Sequence, residues 1–220
     1  MIEGYIFRRA TIDDVGFLAE AIIEAEKSGT DILSYTTVFG LSEKETKSLI
    51  IEMLKEEIDG CDLSVSSFLV AEKDGEVIAA LSIWLEGLSG ISSTILKGNL
   101  LSCHLSEKAL DNAKKVIHIT SELSIEPISG SLSIGAGYVH PKHRGKGLLR
   151  RLTELHIEDA MKIDPPPKEI YTQIFSNNTP AIKTNEKLGF KTIAVYHAKT
   201  ESIARLLPSN KKILMMRILK

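Results

Sequence analysis

Cysteine is scarce. The two in 220 residues, Cys61 and Cys103, stand too far apart for a metal-ligand cluster or a disulfide framework. They read as idle or buried thiols, and no metal is expected. Charge of one sign is lacking too: 27 basic side chains face 29 acidic ones, a net charge of −2. No broad basic surface is therefore offered to nucleic acid, and any basic cluster is local. Apolar runs fall short of the roughly eighteen residues that a membrane span needs. The opening Met1-Ile-Glu-Gly-Tyr5 has no basic segment followed by an apolar one, so a cytoplasmic protein with no membrane partner is expected. Repeats, low-complexity tracts and a dividing linker are also missing. What is present, 43% hydrophobic and 25% charged residues, suffices for a full core in one domain spanning residues 1–220.

Apolar spacing then orders the chain. A strand at Tyr5 to Arg9 leads through Thr11-Ile-Asp-Asp14, which has the form of a capping box, into a helix with Val15, Leu18, Ala19, Ile22 and Ile23 on one face. Gly29 is its expected stop, and residues 30–39 read as loop. Ser42 caps a second helix that turns Leu49, Ile50, Met53, Leu54 and Ile58 inward. Its outer glutamates, Glu43, Glu45, Glu52, Glu56 and Glu57, read as a solvated face. Strands at Ser67 to Ala71 and Glu76 to Leu85 flank an Asp-Gly hairpin turn. The long stretch from Gly87 to Gly130 reads as loop with one helix, Ser106 to Ile119, carrying Ala109, Leu110, Ala113, Val116 and Ile117 on one side. A strand (Ser131 to Val139), a helix (Gly147 to Lys162), a strand (Glu169 to Phe175), a helix (Thr179 to Leu188) and two strands near Thr192 to His197 and Ile213 to Leu219 complete the pattern. The strand-helix-strand unit within it implies a parallel pair.

The most informative stretch runs from Gly137 to Leu152, an apolar strand passing through a basic, glycine-rich turn into a helix. Pro141 stops the strand, and Gly145 and Gly147 let bare backbone N–H groups approach a ligand. The helix start that follows adds unpaired donors and roughly half a positive charge, a combination suited to phosphate. Lys142, Arg144, Lys146, Arg150 and Arg151 add charge at the same place. The spacing excludes a Walker A loop, since His140 and Gly147 stand where a glycine and a Ser or Thr are required. A dinucleotide fingerprint fails at Arg150, where a small residue is needed.

Val139-His-Pro141 followed by Arg144-Gly-Lys-Gly147-Leu-Leu149 resembles the acyl-CoA loop of the GCN5-related N-acetyltransferases (GNAT), Q/R-x-x-G-x-G/A, with Leu149 at the position of the usual last small residue. A second segment, Asn178 to Phe190, is similar to that family's Asn-x-x-Ala-x-x-x-Tyr-Glu-Lys-x-Gly-Phe helix at Asn178, Ala181, Glu186, Lys187, Gly189 and Phe190. Asn185 replaces its tyrosine. The resemblance implies an α/β fold with a mixed, mostly antiparallel central sheet flanked by helices, and a parallel strand pair splayed around the arm of CoA. It implies acetyl-CoA as co-substrate, held by Val139, His140, Arg144, Gly145, Lys146, Gly147, Leu148, Leu149, Asn178, Ala181 and Asn185. For Asn178 a helix N-cap is the alternative. Gly135 and Gly137 suit a bulge that would open the strand pair.

The implied chemistry is acetyl transfer by direct attack of a primary amine, from a small molecule or a peptide. It needs a proton acceptor, donors for the developing oxyanion and optionally a proton for the leaving thiolate. Backbone N–H groups near Val139 could serve the oxyanion. No Asp or Glu lies between Glu126 and Glu154, so Glu86 and Glu126 are the nearest candidate bases, and each has a surface carboxylate as its blander account. At Asn185 no proton is available at neutral pH, which leaves Tyr171, Tyr196 or water as its source. A CoA-binding module without turnover is the competing reading, and a nucleotide-binding protein of another fold is a third. The 87–130 connection would shape the acceptor pocket or form a homodimer contact.

Overall fold

A computed structural model describes residues 2–219. One seven-stranded sheet runs through it in the order β1 (Ile6–Arg9), β2 (Phe68–Lys73), β3 (Glu76–Leu85), β4 (Leu132–Val139), β5 (Glu169–Phe175), β7 (Lys211–Ile218), β6 (Lys191–His197). Only β4 and β5 run parallel; every other pairing is antiparallel. Side chains that alternate along the strands feed two cores. On one face Phe68, Val70, Ala80, Ala136 and Tyr138 pack against α1 (Val15–Lys27) and α3 (Glu43–Leu54). On the other, Leu69, Ala71, Ala79, Leu81 and Ile170 pack against α6 (Leu148–Ala160) and α7 (Thr179–Lys187). This period of two follows from the pleat. The expected capping box at Thr11 forms, the Asp14 carboxylate accepting the Thr11 N–H at 2.8 Å, and the expected cap at Ser42 proves to be a capping box too, with Glu45 accepting the Ser42 N–H at 2.8 Å.

Three expectations need correction. Residues 30–39 are not all loop, because Ser34–Phe39 forms the short helix α2, closed by Gly40 in the left-handed region. Leu33 and Tyr35 anchor it in the core, and the Thr36 and Thr37 hydroxyls bond carbonyls one turn back; a single turn is too short to display a period. The 87–130 connection holds a second helix, α4 (Ser93–His104), capped by Ser92 and Glu86. Its only buried residues are Ser93 and Leu100, so no apolar stripe announces it. In α5 (Glu107–Thr120) only Ala109 is buried, and Ile117 faces solvent at 61% exposure. Glu43, Glu45 and Glu52 of α3 do stand outward, as expected, pairing with Lys27 and Lys55 or capping the helix, while Glu56, which pairs with His104, and Glu57 lie past its end.

Two irregularities in β4 position the site. Pairing with β5 covers only Leu132, Ser133 and Ile134, after which the two parallel strands part. The register with β3 slips at the same level, between Leu81 and Ile83, so that Gly135 and Ala136 face Ser82. Gly135 is required there by close approach: a Cβ would meet Ser82 Oγ at 2.6 Å and the Trp84 ring at 2.8 Å. His156 of α6 ties its helix to this bulge, its Nε2 donating to the Leu81 carbonyl at 2.9 Å.

Burial pushes His156 down to about 4, against an ordinary value of 6.5. The folded chain therefore binds fewer protons than the unfolded chain between those values, and stability falls as pH drops through that window. Loss of about 3 kcal/mol by pH 4 is expected from this group. Denaturant titrations at pH 7 and 4.5 check it: His156→Gln, which keeps the donor without titrating, should lose distinctly less than wild type. Parallel losses in the two proteins would remove His156 from the account.

Candidate active site

The glycine-rich turn forms as a tight loop that ends in the start of α6. Pro141–His143 makes one 3-10 turn, and Gly145 and Gly147 both take positive φ, 78° and 76°. Gly147 caps α6, and no heavy atom lies within 4 Å of where its Cβ would stand, or that of Gly145. The first backbone bond of the helix is Arg151 N–H to Gly147 O at 3.0 Å. Among the described residues, the N–H groups of 145–150 have no backbone acceptor. They lie at the positive end of the helix, with open space beside Gly145 and Gly147, an arrangement suited to a pyrophosphate. Leu149 does not crowd them, because it packs inward, toward Gly137. Arg144 donates its Nε to Val139 O at 3.1 Å, closing the turn on the end of β4. Lys146 and His143 meet on Tyr5, with Lys146 Nζ and His143 Nδ1 each 3.0 Å from its hydroxyl.

A slot opens from this turn between the parted strands. His140 N–H is bonded to Ile78 O on the β3 side at 2.8 Å, so by strand alternation the N–H of Val139 faces the other way, into the slot. Where the strands separate, the slot meets a cavity of about 590 Å³, of the size that small ligands occupy. Ser133 to Ala136 of β4 and Tyr171 to Gln173 of β5 form its back, and α1, α4 and the 123–128 loop form its sides.

The walls of this cavity carry charge. Lys97 of α4 donates to Asp62 at 2.7 Å and lies 3.9 Å from Glu26 of α1. Burial opposes the Lys97 charge, but Asp62, Tyr35 and Glu26 around it hold the ammonium well above the ordinary lysine range. Asp62 stands directly against β4: its Cβ is 3.1 Å from where a Cβ on Gly135 would be. The bulge glycine thus leaves room for a carboxylate that reaches in from another segment. Lys212 of β7 also lines the cavity, its Nζ 5.0 Å from the centre of the Phe175 ring.

The residues singled out in the sequence distribute unevenly. Glu86 is 2% exposed, and both of its oxygens are occupied, by Trp84 Nε1 at 2.8 Å and the Ser93 N–H at 2.7 Å; it holds the start of α4. Glu126 is exposed and lines the cavity. Asn178 caps α7, accepting the Ala181 N–H at 3.2 Å. Asn185 turns its amide back onto Ala181 O at 2.9 Å. None of these three α7 residues lines the cavity wall. Tyr171 does, though its hydroxyl donates to Glu169 at 2.6 Å, and burial followed by that bond pushes it up to about 12. Asp62, Glu26, Lys97 and Lys212 belong to no motif. The one local hint of the site was Gly135.

The sequence profile described as the Acetyltransferase (GNAT) family matches residues 37–190, more than half of the chain. The chain belongs to that family and is an acyl-CoA-dependent N-acetyltransferase. No curated protein matches the sequence. Among solved structures, an N-acetyltransferase from Staphylococcus aureus Mu50 is 14% identical, with 96% of this chain and 100% of that one covered at a TM-score of 0.68. The putative acetyltransferase yncA from Salmonella typhimurium, solved with its cofactor acetyl-CoA, is 18% identical over 98% of this chain and 94% of that one, TM-score 0.56. A ribosomal-protein-alanine N-acetyltransferase from Brucella melitensis is 17% identical over 97% and 99%, TM-score 0.55. At such identities the likeness establishes the fold, including the splayed parallel pair. No helix among the described residues is long and apolar enough to cross a membrane.

Proposed function

We propose that this protein transfers an acetyl group from acetyl-CoA to the primary amine of a small molecule or peptide, by direct attack, in the cavity where β4 and β5 part. The observation that carries this reading is one continuous path. Free amides at the start of α6 lead into a slot lined by unpaired strand backbone, which ends at a cavity bearing Asp62 and Glu26. In this arrangement Gly145 to Arg150 hold the pyrophosphate by backbone N–H, and the slot edge of β4 orients the pantetheine arm. Acetyl-CoA supplies an acyl thioester, which an amine can attack. The N–H groups of β4 that face the slot, alternating back from Val139 toward the bulge, are available to steady negative charge on the carbonyl oxygen. Asp62 faces the acceptor ammonium and takes its proton on a carboxylate oxygen. It replaces Glu86 in that role because both Glu86 oxygens are already occupied. Thiol release from acetyl-CoA in the presence of single amines tests the reading; CoA binding without thiol release from any amine would refute it.

A CoA-binding module with weak or no turnover is the second reading, and Asn185 favours it. Its amide is bonded within its own helix and has no proton for a leaving thiolate. The thiol is an adequate leaving group, with a pKa of about 8.5, so turnover does not depend on an acid here. Asn185→Tyr is expected to raise the turnover number, toward the roughly hundredfold or more of a general acid, without changing CoA affinity. If Asn185→Ala and Asn185→Tyr both turn over at the wild-type rate, the proton comes from elsewhere, with Tyr171 or water as the remaining sources.

A further inference from the structure

Lys212 lies in no motif, yet among the described residues it is the cavity's lysine without an ion pair. It enters from β7 opposite Phe175 and rests over that ring. Among the described residues it forms no ion pair, whereas the other lysine of the cavity, Lys97, is held by both Asp62 and Glu26. Burial pushes the Lys212 ammonium below the ordinary lysine range, and Glu26 opposes this only in part. A cation drawn out of water without a counter-ion carries a cost that an anion arriving with a ligand offsets. The remaining wall has the complementary imbalance, since Glu26 and Asp62 share one ammonium and Glu126 has no ion pair among the described residues, which leaves negative charge over. A neutral or purely cationic acceptor would satisfy only that wall.

We infer that the acceptor is a zwitterion, a small primary amine that also carries a carboxylate or phosphate, with Lys212 binding the anion while Asp62 and Glu26 face the ammonium. The inference rests on the acetyl-transfer reading for the identity of the pocket, and it narrows the acceptor within it. The two charges stand on different strands of the cavity: Asp62, held by Lys97, lies beside the bulge in β4, and Lys212 lies on β7 opposite Phe175 of β5.

The test is a calorimetric titration of the CoA-loaded protein with L-amino acids, O-phosphoethanolamine, amino-acid carboxamides and aliphatic diamines. The anion-bearing amines are expected to bind more tightly than the carboxamides and diamines by about tenfold or more, the scale of one lost hydrogen bond to a charged group. Preference for the carboxylate or the phosphate probes identifies the anion. Lys212→Met should abolish the discrimination and Lys212→Arg should retain it, while acetyl-CoA affinity stays at the wild-type level in both. Carboxamides or diamines binding as well as amino acids to the wild-type protein would overturn the inference without reference to any variant. So would a Lys212→Met protein, folded by circular dichroism, that still discriminates or that weakens every probe equally. Thiol release separates the two readings: anion-selective binding without turnover would sink the transferase reading, and the acceptor role with it, and leave only Lys212 as the anion site of a bound zwitterion. Turnover of carboxamides in preference to acids would sink this one alone.

Discussion

Asp62→Asn is expected to lower the turnover number by about a hundred- to ten-thousand-fold, the range of a positioned proton acceptor, while acetyl-CoA affinity holds. Asparagine keeps the shape and one oxygen for Lys97, but it cannot take a proton at neutral pH. Removing the charge also weakens the 2.7 Å ion pair, and a buried cation left alone destabilises its surroundings. Lys97 is 29% exposed and keeps Glu26 nearby, so this cost is only partial. Single-turnover rates per folded molecule, with CoA titrations alongside, separate the chemical effect from the structural one. Glu86→Gln supplies the contrast. Glu86 braces Trp84 and the first turn of α4, so its loss should lower the melting temperature and leave the rate per folded molecule nearly unchanged. A fast Asp62→Asn enzyme, or a slow but fully stable Glu86→Gln enzyme, would reverse the two assignments.

Gly147→Val is expected to weaken CoA binding by about tenfold or more, and Lys146→Ala by far less. The reason is conformational rather than steric. Nothing stands within 4 Å of a Cβ at position 147, but φ is 76° there, a region that costs an ordinary L-residue about 1–2 kcal/mol and a β-branched one more. The chain relieves that strain by turning away the amides that form the cradle, so the loss appears in affinity. Lys146 is exposed and its ammonium already sits on Tyr5 at 3.0 Å, so it adds field and little geometry. Calorimetry with CoA on both variants decides the matter. A larger loss for Lys146→Ala would mean that side-chain charge, and not backbone, holds the phosphates.

The cradle and the helix of Asn178 to Phe190 were legible in the sequence because their chemistry is local. A strand stop, two glycines and a helix start specify a phosphate-binding turn within about ten residues, whatever lies around them. The alternating strands and the capped helices α1, α3 and α6 were legible for the same reason, since cap and period are written within each element. Helix α4 was not, because only Ser93 and Leu100 of it are buried and one of its two caps, Glu86, stands just past the end of β3, seven residues before the helix. The acceptor cavity was not legible either. Glu26, Asp62, Lys97 and Lys212 come from four separate segments, and each alone reads as an ordinary solvated charge. Only the tertiary structure brings them together. The bulge at Gly135 admits Asp62 against β4, α4 lays Lys97 across it, and the parting of β4 from β5 opens the space that keeps Lys212 from a partner. Short-range backbone preference thus determined the glycine turn proposed to hold CoA, while long-range packing, which no local pattern encodes, decided which charges gather in the cavity proposed for the acceptor.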